Sequence, residues 1–318
     1  MKKVAVLSGL IIALVIGFCA VSCVGKDDLQ EEDKPIVQPE ADQEAEPQPE
    51  PEPDPEPAPE PDPAPDPTPE PVPDTTMTVR FVSYNVGKFS KHESFLGHKS
   101  YPEVARVIQD IKGTVIGLNE TNKGQAAELA AALGRRWTSY FAYAANSNYG
   151  NSIVAAPQYE VVKEYDRVAI PKMDEITGEV RSLGVVEYED FVFCVTHLDH
   201  KSIASRKHGV EVITEWCLDN YGPGKTTKPV ILLGDMNCLP TEETITMFLE
   251  NWDWVSANEY TFPCPNPTKC IDFVFVLRNG VPYTKGESHS VFDVMSTDIE
   301  KASDHYPIYA DITFNVQK

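Results

Sequence analysis

The sequence has no run of basic residues. Its 318 residues include 27 Lys and Arg against 49 Asp and Glu, a formal net charge of −22. Residues 1–76 carry 18 of the acids and 4 of the bases, so residues 77–318 keep 31 acids and 23 bases, a net of −8. Without a basic stripe, strong non-specific binding to duplex DNA is disfavoured, because it depends on phosphate neutralisation. A nuclease whose metal supplies the positive charge is not excluded. Zinc-ligand spacing is also missing: the seven cysteines fall into no zinc pattern. Within residues 77–318 no segment repeats. Proline is scarce except in one stretch, residues 35–74, which holds 16 of the 27 prolines.

That stretch alternates Pro with Glu, Asp or Ala and can form no hydrophobic face. It is expected to be extended polyproline II, stiffened by like-charge repulsion. At about 3.1 Å per residue it reaches roughly 120 Å, a spacer that lifts a domain from a surface. Ahead of it, Lys2 and Lys3 lead into an apolar run over residues 4–20, the pattern of a secretory signal. Ala20-Val21-Ser22-Cys23 resembles a bacterial lipobox, with Cys23 the residue to be lipidated; an uncleaved membrane anchor is the alternative. Lys26-Asp27-Asp28 resembles a surface-export signal, or is the plain start of an acidic linker. The expected division is a signal over 1–23, an acidic disordered linker over 24–76 and one folded domain over 77–318. The expected location is extracytoplasmic, lipid-anchored to the outer membrane and displayed on the cell surface. Cys264 and Cys270 flank a proline-rich loop, which leaves both a disulfide and free thiols open.

Within 77–318, apolar runs predict strands at 78–84, 114–119, 151–156, 180–188, 191–196, 229–234, 271–277 and 306–315. Helices are predicted at 102–111, 124–133, 203–219 and 241–249. Ser100 is a candidate cap for the first helix. Strands and helices alternate without a strict βαβ repeat, which points to mixed sheets flanked by helices.

Four polar clusters sit at strand ends: SYNV at 83–86, GLNE at 117–120, GDMN at 234–237 and SDH at 303–305. The first three close apolar runs, and the fourth is expected to open the last strand. Carboxylates, carboxamides and imidazoles gathered at one sheet edge make a polar site. Glu120, Asn85 and Asp304 offer oxygen ligands that suit Mg²⁺ or Ca²⁺ rather than zinc. Asp235 and Asn237, two apart on an extended segment, should point the same way. One can align a water while the other donates to a developing oxyanion. An Asx turn is the competing account of that pair. Asp272 is placed to orient the imidazole of His305.

The order SYNV, GLNE, YGNSIV, THLDH, GDMN, CIDFVFV, SDHYPI resembles the endonuclease/exonuclease/phosphatase superfamily, also described as DNase-I-like. The resemblance covers nearly all of residues 77–318. It implies an α/β fold, a four-layer sandwich of two packed mixed sheets flanked by helices. It also implies hydrolysis of phosphate esters with a divalent metal, Mg²⁺ first and Mn²⁺ or Ca²⁺ next. On this resemblance Glu120 is the main metal ligand, Asn85 its neighbour, and Asp304 completes the metal region. Asp235 positions and deprotonates water, Asn237 stabilises the transition state, and His305, oriented by Asp272, contacts phosphate or transfers a proton. Asn151, Tyr149 and Arg181 face the phosphate. His197 matches the second histidine of several branches, and His200 extends that motif.

The expected function is therefore metal-dependent phosphoester hydrolysis by a membrane-anchored monomer. Small or headgroup-type phosphoesters are favoured over nucleic acid. A cell-surface DNase-I-like endonuclease is the alternative, and an inactive binding module a third reading.

Overall fold

The computed structural model describes residues 75–316. The signal, Cys23 and nearly all of the linker lie outside this range.

Two sheets share the core. The first runs in the order β12 (Tyr283–Ser290), β13 (Ile308–Asn315), β1 (Thr76–Asn85), β2 (Val115–Asn122), β4 (Tyr149–Ala155) and β3 (Thr138–Asn146). The second runs β10 (Trp252–Trp254), β11 (Asp272–Leu277), β9 (Val230–Asp235), β8 (Val192–His197), β7 (Arg181–Tyr188) and β5 (Val161–Glu164), with β6 (Val168–Ile170) also pairing with β7. The β1–β2 and β8–β9 pairs are parallel and the other strand pairs antiparallel, so both sheets are mixed.

Strand periodicity sorts the apolar side chains into layers. Phe81, Ile153, Val195, Leu233 and Val274 point between the sheets, where Phe81 stacks on Phe193 at 5.5 Å. Their neighbours point outward. Val82, Ile116 and Val154 pack under α2 (Tyr101–Asp110) and α3 (Gln125–Leu133). Cys194, Leu232 and Phe273 pack under α4 (Ile203–Tyr221) and α5 (Glu243–Phe248). The result is helix, sheet, sheet, helix, the expected four layers. A short α1 (Glu93–Leu96) lies in the β1–α2 connection.

Five strands escape the sequence pattern: β3, β5, β6, β10 and β12. Four of them are the outermost strands of the two sheet orders. An edge strand needs one neighbour and tolerates polar residues on its free side, as the sequence YTKGESHS of β12 shows. Two further expectations change, and the open choice at Cys264 and Cys270 falls to free thiols. Ser100 stands at the N-cap of α2 but does not cap it; its hydroxyl donates instead to Ala302 O at 2.7 Å. Cys264 and Cys270 are free thiols, and they pack in the two different outer layers. Ser303–His305 sit in the loop before β13, which begins only at Ile308.

Candidate active site

Register brings the polar clusters to one end of the sandwich. In the second sheet His197 pairs with Asp235 and Asp235 with Asp272, so three functional side chains form a row across β8, β9 and β11. In the first sheet Asn85 pairs with Asn119, one residue before Glu120. Asp304 and His305 arrive on the loop before β13. Most of these groups open into one cavity of about 730 Å³, lined among others by Glu120, Tyr149, Arg181, His197, His200, Asp235, Asn237, Asp304 and His305.

The backbone is strained where it turns into the cavity. Glu120 has φ +55° at a register shift between β2 and β4, a conformation unfavourable for a non-glycine residue. Asn237 has φ +50°, and its N–H donates to Asp235 Oδ1 at 2.9 Å. The expected extended alternation is therefore replaced by an Asx turn, and the turn itself brings Asp235 and Asn237 to the same cavity. Gly234 makes the approach possible: at φ +147°, a Cβ there would lie 1.8 Å from Thr196 O.

Asp235, His305 and Asp272 form a buried chain. His305 Nδ1 donates to Asp272 Oδ2 at 2.9 Å, and His305 Nε2 lies 3.7 Å from Asp235 Oδ2. Burial alone would depress the His305 imidazole, but the Asp272 charge and hydrogen bond, with Asp235 and Asp304 nearby, push it up to about 9. Burial and then the Asp272 charge push the Asp235 carboxyl up to about 7. A base with that affinity is matched to proton transfer near neutrality.

His197 sits opposite. Arg181 Nη1 lies 3.1 Å from its Nδ1, and Asn237 Nδ2 lies 2.8 Å from its Nε2. Burial, then the Arg181 charge, hold this imidazole well below its ordinary range, so it is neutral. A neutral ring carries one N–H, so it cannot accept from both donors at once. Asn237 Nδ2 also donates to Leu198 O at 3.0 Å, so it keeps a partner when the ring accepts from Arg181.

Asn85 Nδ2 donates to Asp235 Oδ2 at 3.1 Å and faces Glu120 Oε1 at 3.4 Å, while its Oδ1 accepts from Gly87 N–H. Glu120 has no ion-pair partner among the described residues, although it ends a largely buried strand. Gly87 leaves room beside Asp304, whose Oδ1 lies 3.2 Å from where a Cβ would stand. The carboxylates of Glu120 and Asp304 fit a hard divalent cation, while Asn85 departs from expectation: it turns Nδ2, not the oxygen that would ligate, toward Glu120. Asp235, Asp272 and His305 also bring ligand atoms within 4.8 Å of one another. Asp304 is now paired with Lys91 at 3.0 Å, which together with the adjacent His305 charge overcomes burial and holds it below the ordinary carboxylate range.

Tyr149 lines the cavity, and burial pushes its phenol up to about 12. His200 is half exposed and faces Arg181 Nη2 at 3.4 Å. Asn151 departs from expectation. It is buried and not among the residues lining the cavity; its Nδ2 donates to Ser182 O at 3.0 Å and its Oδ1 accepts from Asn119 Nδ2 at 3.0 Å, so it braces strands and keeps one amide N–H uncommitted.

Asn119 is the residue the motifs concealed. Its Nδ2 also donates to Thr196 O at 2.8 Å, and its Oδ1 accepts the Asp235 N–H at 2.9 Å. One fully buried amide thus ties β2 of the first sheet to β8 and β9 of the second, beside His197 and Asp235. In the sequence it is one more polar letter in GLNE. Glu179, Lys88 and Lys269 also line the cavity and belong to no motif.

A two-sheet sandwich that gathers this constellation at one end is the architecture of a phosphoesterase. The chain belongs to the endonuclease/exonuclease/phosphatase family, whose sequence model matches residues 82–305. Among solved structures it is similar to an endonuclease/exonuclease/phosphatase family protein from Bacteroides thetaiotaomicron (19% identity, TM-score 0.61, 76% of this chain and 100% of that one). It is also similar to one from Bacteroides vulgatus (18%, TM-score 0.60, 76% and 100%). A third likeness is to a mannosyl-6-phosphatase from Bacteroides thetaiotaomicron (19%, TM-score 0.61, 74% and 99%). At such identities the likeness establishes the fold. No curated protein matches by sequence.

Proposed function

We propose that this protein is a divalent-metal-dependent phosphoesterase acting on a small phosphate ester outside the cytoplasm. The observation that carries the reading is the convergence of Asp235, Asn237, His197 and His305 beside an unpaired Glu120 in one cavity. In the reaction, water oxygen bonds to phosphorus and the ester P–O bond breaks. Its electron pair leaves on the alcohol oxygen, which takes up a proton.

Asp235 accepts the proton of the attacking water. Protonated His305, held by Asp272, donates to a phosphoryl oxygen or to the departing oxygen. Asn237 and Arg181 donate to the phosphoryl oxygens as charge develops. Glu120, with Asp304, would hold the cation, with Mg²⁺ the first expectation, and Asn85 Nδ2 steadies Glu120 and Asp235. When bound, such an ion neutralises phosphate charge and favours ionisation of water.

The comparison that tests substrate class is kcat/KM for plasmid DNA against sugar phosphates, inositol phosphates and nucleotides, at one Mg²⁺ concentration and low salt. Turnover of small phosphoesters is expected to dominate. Efficient plasmid nicking with negligible turnover of small esters would select the endonuclease reading instead.

The lipobox reading supports a tether at Cys23. Cys23→Ala is expected to move the protein from the membrane fraction to the soluble fraction, or to leave it unprocessed, as read by fractionation and gel mobility. Resistance to protease added to intact cells would count against surface display.

A further inference from the structure

Glu179 enters the cavity from the segment before β7, two residues ahead of Arg181. Its position is fixed by the buried Asp199 carboxylate, which accepts the Glu179 N–H and also the N–H groups of Lys201 at 2.7 Å and Ser202 at 3.0 Å. One buried acid therefore fastens together the segment carrying Glu179 and the turn carrying His200 and Lys201. The Glu179 side chain accepts from Arg181 Nη2 at 2.8 Å and from Lys201 Nζ at 2.8 Å, and His200 Nδ1 lies 3.5 Å away. Its side chain keeps 34% exposure and lines the cavity.

From Glu179 a polar chain runs through Arg181 and His197 to Asn237 and Asp235. An acid at this place weakens the pull of Arg181 and Lys201 on any anion, which is a cost if phosphate is all the cavity binds. The other walls are different. Lys88 lies over the Tyr149 ring at 5.1 Å and Lys269 over the Phe262 ring at 5.8 Å, and all four residues line the cavity. Neither lysine has an ion-pair partner among the described residues. Beside the groups assigned to the reaction, the cavity thus offers two carboxylates, Glu179 and Glu242, ammonium donors and two aromatic surfaces. The carboxylates can accept from hydroxyl groups of a bound ester, which a second phosphate does not offer.

We propose that Glu179 sets substrate choice: its carboxylate accepts hydroxyl groups of a polyhydroxylated leaving group and disfavours esters that carry a second phosphate. The inference rests on the phosphoesterase reading above. A hydrogen bond from a neutral hydroxyl to a carboxylate contributes roughly ten- to hundredfold in recognition.

The test uses the full-length protein in detergent with Mg²⁺, as wild type, Glu179→Gln and Glu179→Asp. The probes are mannose 6-phosphate, p-nitrophenyl phosphate, which has no hydroxyls, and fructose 1,6-bisphosphate. In Glu179→Gln the kcat/KM ratio of mannose 6-phosphate to p-nitrophenyl phosphate should fall about tenfold or more, chiefly through KM. The relative rate on fructose 1,6-bisphosphate should rise, and Glu179→Asp should recover part of the ratio. Calorimetric binding of mannose 6-phosphate to an Asp235→Asn background should weaken by a similar factor when Glu179→Gln is added. Proportional loss on all three esters would mean that Glu179 only steadies Arg181, and would overturn the proposal. So would unchanged ratios. Wild type inactive on every monoester would instead strike the phosphoesterase reading, and this inference with it.

Discussion

Asp235→Asn is expected to lower kcat by roughly 10²- to 10⁴-fold, the contribution of a positioned general base. The substitution keeps the shape of the side chain and an oxygen to accept from Asn237 N–H or Asn85 Nδ2. It removes the basic site that burial and Asp272 bring to about 7. KM should change little, because proton acceptance belongs to the transition state rather than to ground-state binding. Stability should hold or rise, since an awkwardly buried charge disappears. Steady-state kinetics and a thermal melt check both halves. A variant with normal kcat and raised KM would remove Asp235 from the chemical step.

Glu120→Gln is expected to have the next largest effect. The wild-type carboxylate has no cation partner among the described residues, so its charge is free for a metal. The amide keeps the volume and loses the charge. The divalent cation concentration for half-maximal activity should rise at least about 10- to 100-fold, the loss seen when even groups behind a metal ligand are changed. Direct titration with Mn²⁺ should show the same weakening without any turnover. Undiminished activity of the wild type in excess EDTA would defeat the metal assignment outright.

The sequence displays the inner strands because they must be apolar on both faces. PVILLG and TVIGL each break from an apolar run into polar residues near the end of a buried strand, and this makes Asp235 and Glu120 legible. Their partners across the site were legible for the same reason: His197 and Asp272 close or open strands of the same kind. The edge strands were not, because half of each faces solvent and its position is dictated by a neighbour. The geometry at Asn237 was misread for a local cause. A left-handed residue after Asp235 leaves no trace in a periodicity that counts only faces. Asn119 and Glu179 were hidden by a different circumstance. Each acquires its role from a residue distant in sequence, Asn119 from Asp235 and Thr196, Glu179 from Asp199 and Lys201. Asn151 differs in another way: its motif position suggests a ligand contact, and it lies buried behind the cavity, bracing strands through Asn119 and Ser182.

The Asn119 amide crosses from one sheet to the other at the point where the reacting groups meet. Neither half of the sandwich therefore holds a working site by itself. The first sheet contributes Asn85 and Glu120, the second His197, Asp235 and Asp272. A chain cut between β4 and β7 would leave Asn85 and Glu120 on one fragment and Asp235 and Asp304 on the other, however well each fragment kept its strands. For an enzyme of this construction, partial degradation has no partly competent product, and selection acts on the pairing of the two sheets as a single inherited unit.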